Sequence, residues 1–333
     1  FVDDYERKVE HTFSLRVFQA SPIEILSRPN GVSNANEQAH FLFESALPAD
    51  VETRNITDFV TKKASKAGAM LVPWNYNYTQ GKSSPLSALG NWIVLLEVNH
   101  GYYDFFENWL AHFQALALNI KVVIMAEDNN TMALLEKEVL ANYPEQFSGE
   151  RSSLQLDTKA LGYDSTAYKE LVSSRAIHIL KKLKDGLNVI YCDVDTVWRS
   201  SPLLYLGCTD DADIIMQVDS DVFNSVSPYY CTGFMAIVSN ERTIQFIEKW
   251  QNALDAKPQL NQPVFNNILH KRSLVRHQPL PRAEFPSGNY YFQWFTEKEK
   301  TRAVIVHNNF IIGHDKKKDR FIQEKLWKVN ELS

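Results

Sequence analysis

The chain has 333 residues, 44% of them hydrophobic and 23% charged, a balance ordinary for one large globular domain or for one domain carrying an extension. Its 35 basic and 40 acidic side chains leave a net charge of −5 with no basic stripe, which excludes the electrostatic footprint of a nucleic-acid binder. No apolar run approaches the roughly 20 residues that span a bilayer.

The first residue is Phe1 rather than Met, so a processed or truncated product is expected, with any membrane anchor or signal segment removed. Asn-x-Thr sequons at Asn55, Asn77 and Asn129 favour the secretory pathway, and a Golgi or secretory lumen over the cytoplasm. Cys192, Cys208 and Cys231 have neither a metal-binding spacing nor the number for a disulfide framework, leaving room for one bridge. Residues 1–85 are mixed and end in the turn-rich NYTQGKSSP (77–85), a joint between an N-terminal extension and a main domain over 86–333. The extension is free to serve as a stem, to touch an acceptor or to mediate oligomerisation.

From that joint the pattern alternates. Trp92 to Val98 (WIVLLEV) predicts a strand, and an aromatic amphipathic helix follows over Tyr103 to Leu118. Lys121 to Ala126 (KVVIMA) predicts a second strand, followed by a helix over Thr131 to Tyr143. Ser165 to Lys184 predicts a long helix whose apolar face carries Leu171, Ile177, Leu180 and Leu183. Asn188 begins a third strand, in NVIYCDVDTVW. This order is the signature of an α/β fold, a mostly parallel, Rossmann-like sheet with helices on both faces. Ligands bind such sheets beyond the carboxyl ends of the strands. Three strand ends supply polar residues there: Asn99 to Asp104, Glu127 with Asp128, and Asp193 with Asp195.

Asp-x-Asp at a strand end suits a hard divalent cation that bridges to a phosphate. It also fits the hhhhDxDx(T/V) motif of haloacid-dehalogenase phosphatases. Position opposes that second reading, because two βα units precede the motif. The only later Asp-Asp pair, Asp210 and Asp211, also follows LYLGCT (204–209) too closely.

Six segments in one order resemble the nucleotide-diphospho-sugar transferases that include plant cell-wall xylosyl- and arabinosyltransferases and a protist galactosyltransferase. They are NHGYYDFFENWL (99–110), HILKKLKDGLNVIYCDVDTVWRSSP (178–202), YYCTGFMAIVSNERTIQFIEKW (229–250), NQPVFNNIL (261–269), FPSGNYYF (285–292) and VHNNFIIGHDKKKDRF (306–321). The resemblance spans about residues 90 to 330. It implies a GT-A fold and a retaining transfer of galactose, xylose, arabinose or glucose from a UDP-sugar to a carbohydrate or glycoprotein hydroxyl. A non-catalytic carbohydrate-binding protein of the same fold is the alternative.

The resemblance also assigns roles. Asp195 binds Mn²⁺ or Mg²⁺ directly, Asp193 contacts both the metal and the ribose, and His307 completes the shell. As a ligand His307 must be neutral, so metal affinity is expected to fall below about pH 6.5. Gly313 and a lysine of the run Lys316 to Lys318, with Lys318 favoured, hold the diphosphate. Arg175 binds the donor from the helix before the motif, as do Thr232 and Gly233, where Cys231 replaces the relatives' asparagine. The strand-end residues Asn99, Asp104 and Glu127 join them.

Gln262 is expected beneath the anomeric carbon, beside Asn261 where relatives have aspartate; alternatively Asn261 caps a helix with Pro263 in its first turn. Asp219 and Asp221 are placed to hold a sugar, and the rings of 285–295 to stack on an acceptor. With no carboxylate evident beneath the anomeric carbon, front-face attack is expected.

Overall fold

The computed structural model describes residues 91–153, 159–206, 212–220, 228–257, 259–271 and 274–329. The chain divides into two units, and apart from Pro228 the described residues belong to the one formed by Ser83–Ser220 with Tyr229–Ser333. The extension expected over 1–85, Cys208 and Asp221 lie outside them.

Strand β1 (Trp92–Val98) is buried along its whole length, as a strand of a covered parallel sheet must be, and its one polar residue is Glu97. Helix α1 (Tyr103–Ala115) follows, then β2 (Lys121–Ala126) and α2 (Asn129–Leu135). Asp128 caps α2 by accepting from the Thr131 amide, so the helix begins before Thr131. It continues as a wider turn through Glu136–Leu140 to β3 (Phe147–Arg151). Ser165 caps α3 (Thr166–Lys184), which leads to β4 (Asn188–Cys192), β5 (Thr196–Trp198), α4 (Leu203–Leu206) and β6 (Ile214–Ser220). Next come β7 (Tyr229–Ile237), α5 (Glu241–Asp255) with an Asn240–Thr243 capping box, α6 (Asn261–His270) and β8 (His277–Pro279). The last elements are α7 (Glu297–Lys300), β9 (Ile305–His307) and α8 (His314–Gln323).

The main sheet has the order β3-β2-β1-β4-β7-β6-β8, and β5 pairs with β9 in a second, two-stranded sheet. β3, β2, β1 and β4 are mutually parallel, β7 runs against both β4 and β6, and β8 is parallel to β6. The register aligns Val98 with Ala126 and Leu95 with Tyr191, which brings the loops after β1, β2 and β4 to one edge.

Side chains of β1 alternate between two cores. Trp92, Val94, Leu96 and Val98 pack in a cluster with Phe105, Phe106, Trp109 and Phe113 of α1. Ile93 and Leu95 pack in the other, with residues of α3, α5 and α6. Helices therefore cover both faces, as the α/β reading requires.

One local expectation is corrected. Leu171 and Ile177 are only partly buried, because α3 turns Val172, Ser174, Arg175 and His178 inward, a face that is half polar. His307 is the last residue of β9 and pairs with Thr196.

Candidate active site

The DVD turn links β4 to β5, with the Asp193 amide donating to the Gly233 carbonyl at 2.8 Å. Antiparallel pairing of β5 with β9 sets His307 against this turn. Its Nε2 lies 3.6 Å from Asp193 Oδ2 and 3.4 Å from Asp195 Oδ1. The other ring nitrogen, Nδ1, is 2.9 Å from the Gln217 Oε1. Gln217 is held in that sense by donating Nε2 to the Phe285 and Pro286 carbonyls, so Nδ1 carries a proton and Nε2 is the nitrogen that faces the carboxylates, where a cation would have to displace any proton it holds.

Asp193, Asp195 and His307 offer ligand atoms all within 4.8 Å of one another. Beside them Gly233 leaves a gap: a Cβ there would lie 2.4 Å from both Asp193 Oδ2 and His307 Cε1. Two carboxylates and an imidazole with a fixed tautomer, around a space kept clear, fit a divalent cation.

Two cations compensate these carboxylates. Arg175 of α3 donates to Asp193 at 2.6 Å and also to the Thr232 carbonyl and hydroxyl. Lys317 of α8 donates to Asp195. Burial would raise the pKa of Asp195, but Lys317 and His307 together hold it well below the usual carboxylate range. Burial likewise opposes charge on His307, and Cys231 and Asp195 outweigh it and raise its pKa well above the ordinary imidazole value.

A few ångströms away the Gln262 amide is committed at both ends. Its Oε1 accepts from the Thr232 amide at 3.1 Å and its Nε2 donates to Asp219 Oδ2 at 2.8 Å. Asn309 donates to the other Asp219 oxygen at 2.6 Å. These residues line a cleft of about 920 Å³, together with Asn99, Tyr102 and Arg175.

Residues 118–321 match the family model described as nucleotide-diphospho-sugar transferase. The chain belongs to that family. It is therefore a glycosyltransferase, not a member of the phosphatase family. The transferase is 30% identical to the UDP-D-xylose:L-fucose alpha-1,3-D-xylosyltransferase 3 of Arabidopsis thaliana, over 77% of this chain and 71% of that one. It is 28% identical to the UDP-galactose:fucoside alpha-3-galactosyltransferase of Dictyostelium discoideum, over 72% of this chain and 43% of that one. It is 24% identical to the beta-arabinofuranosyltransferase RAY1 of Arabidopsis thaliana, over 82% and 53%.

Most residues singled out in the sequence meet in this cleft: Asn99, Arg175, Asp193, Asp195, Asp219, Thr232, Gly233, Asn261, Gln262, His307 and Gly313 all line it. Asp104, Glu127 and Lys318 do not. Asp104 accepts from Lys318 at 3.0 Å and contacts His314 at 2.9 Å, and the Lys318 ammonium sits 4.7 Å over the Trp327 ring. The lysine brought to the carboxylates is Lys317. Glu127 is fully enclosed.

Asn261 is the first residue of α6 rather than its cap, which is Leu260. Its side chain is drawn instead to the Val172 carbonyl, at 2.7 Å, and to the Thr232 hydroxyl. The rings of 285–295 do not line the cleft. Phe285 packs in the core against Tyr205 and Phe234, as aromatic burial favours. Cys192 and Cys231 are free, buried thiols. Among the described residues no helix is long and apolar enough to cross a membrane.

Three contributors to the site, Gln217 behind the cleft and Tyr102 and Asn309 lining it, escape a reading of the sequence. Gln217 stands mid-strand with no local signal. Tyr102 and Asn309 lie in the segments that carry Asn99 and His307, which is the one signal that could have found them.

Proposed function

We propose that the cleft transfers a sugar from a UDP-sugar to a hydroxyl of a glycan or glycoprotein in the secretory lumen, with retention, aided by Mn²⁺ or Mg²⁺. Asp193, Asp195 and His307 would hold the cation. The observation that carries this reading is the convergence of those three groups beside Lys317, at a cleft floored by the Gln262–Asp219 pair. The names of the relatives support UDP-xylose, UDP-galactose or an arabinosyl donor, and the glucosyl donor stays in the panel.

When bound, the cation supplies Lewis-acid stabilisation of the departing diphosphate. The chain's own groups do the rest. Lys317 adds a positive charge next to the leaving group. Arg175, pinned between Asp193 and Thr232, fixes the orientation of Asp193. Gln217 keeps His307 in the tautomer whose Nε2 is free to ligate. Gln262 is a poor nucleophile with both amide ends occupied, which favours front-face attack with a leaving phosphate oxygen taking the acceptor proton.

One observation favours a second mechanism. Asp219 is a carboxylate 2.8 Å from Gln262, the residue expected beneath the anomeric carbon, and a carboxylate there is the group a double displacement would use. Mass spectrometry of a quenched reaction separates the two: a glycosyl adduct on Asp219 establishes double displacement, and its absence during turnover supports front-face attack.

The test of function is UDP release from a panel of UDP-sugars, with and without Mn²⁺, on wild type and Asp195→Ala. Metal-dependent release from one sugar, reduced at least about 10³-fold in the variant, is expected. Equal release by both proteins would overturn the assignment of Asp195.

A further inference from the structure

A second cluster of the same composition lies at the ends of β1 and β2. Glu97, Glu127 and His178 offer ligand atoms within 4.8 Å of one another, and all three residues are buried. His178 Nδ1 is 2.8 Å from Glu97 Oε1 and 3.6 Å from Glu127 Oε1. Both Glu127 oxygens are buried and, among the described residues, neither meets a partner at full hydrogen-bond geometry, Ser152 lying beside the carboxylate. A carboxylate in that position is costly, because burial without compensation is the most expensive state of a charged group.

We infer that Glu97, Glu127 and His178 form a cation site of the zinc class, distinct from the donor site, that fastens the ends of β1 and β2 to α3. A proton alone is a poor substitute. It would satisfy one Glu127 oxygen and leave the other with at most the Ser152 hydroxyl, while the His178 Nδ1 is already engaged by Glu97. The nearby guanidinium of Arg175 sends its amino groups to Asp193 and Thr232, with only Nε turned towards Glu97, at 4.0 Å.

The surroundings orient the ligands as a metal shell would need. Ser152 Oγ lies 3.3 Å from His178 Nε2, so that nitrogen can carry the proton while Nδ1 faces the carboxylates. Tyr191 donates its hydroxyl to Glu97 Oε2 at 3.1 Å, leaving Oε1 towards the histidine. Ligands about 2.0–2.2 Å from a shared zinc stand roughly 3–3.6 Å apart, near the separations found here. Magnesium or calcium would require about six or more oxygen ligands, which three enclosed side chains do not offer. Glu97 also lines the donor cleft, giving an ion a way in.

The experiment measures zinc by elemental analysis after loading with Zn²⁺ and gel filtration. Asp195→Asn, which disables the donor site, isolates the second site. About one equivalent is expected to stay on the Asp195→Asn chain, and none above the buffer blank on Asp195→Asn/Glu127→Gln. Chelator should then lower the melting temperature of Asp195→Asn but not of the double variant. An Asp195→Asn chain with no retained zinc overturns the inference, and so does equal retention after Glu127→Gln. Should the double variant not fold, Co²⁺ loaded into Asp195→Asn decides between the outcomes. Visible d–d bands of a low-coordinate ion support the site, and a colourless protein overturns it.

Discussion

Two carboxylates and an imidazole occur twice at the same edge of this sheet, and the two clusters differ in what neutralises them. Around Asp193, Asp195 and His307 the chain brings Arg175 and Lys317, and the group opens on a cleft. Around Glu97, Glu127 and His178 no lysine is brought among the described residues, and Glu127 is sealed. The consequence is opposite for the two acids. Asp195 is held well below the usual range despite burial, whereas burial and then the charge on Glu97 push Glu127 up to about 9. Buried like charges persist where side chains or an ion supply the missing sign. The first cluster has an arginine and a lysine hydrogen-bonded to its carboxylates, whereas the second has only the Arg175 Nε, 4.0 Å from Glu97.

The strongest way to break the contrast is Gly233→Ala. The added methyl would stand 2.4 Å from Asp193 and His307, so the ligands must part. Turnover should fall by about 10²–10³-fold, some 3–4 kcal/mol, read as the initial rate of UDP release. Zinc at the Glu127 cluster should be unchanged. A variant with wild-type rates would show that the gap is unused.

A smaller effect sharpens the role of the lysines. Lys317→Met should lower kcat/KM by about 10–10²-fold, because it removes the ammonium on Asp195. Lys318→Met, which loses only contacts to Asp104 and Trp327, should stay within about 3-fold. The reverse ranking would restore Lys318 as the diphosphate ligand.

The smallest expected effect comes from a histidine outside both clusters. His112 lies against the Leu326 carbonyl, and burial, assisted by Lys328, lowers its pKa to about 4. A depressed histidine favours the neutral folded form. Its stability contribution is therefore complete above about pH 6.5 and is lost as pH falls towards 4. The loss should reach about 1–2 kcal/mol, and His112→Gln should reduce the difference in melting temperature between pH 7 and pH 4. An unchanged difference would show that burial alone does not displace this imidazole.

The strands are easy to read where nothing competes with the apolar signal. Trp92–Val98 and Lys121–Ala126 have the bounds their composition gives, because both are apolar runs bounded by polar loops. Helix α3 is harder, since its buried face carries Ser174, Arg175, His178 and Lys182, and a hydrophobic period cannot register a polar face turned inward.

The same limit runs through the site. Asp193, Asp195 and His307 mark themselves by standing at strand ends. Gln217 acts only because β6 passes beside β7 and delivers its amide to a histidine 90 residues away. In the run of three lysines, the one that meets Asp195 depends on helical phase. That phase is fixed by where α8 starts, after Gly313 with its φ of 101°.

The pairing of β5 with β9 has a consequence for biosynthesis. The Asp195 carbonyl accepts from the Asn308 amide at 3.0 Å, and Lys317 reaches the Asp195 carboxylate from 122 residues further along. During translation the DVD turn leaves the ribosome well before its histidine and its lysine exist. The growing chain therefore carries two aspartates with only Arg175 to temper them, and the proposed ligand set cannot close until Lys317 has been made.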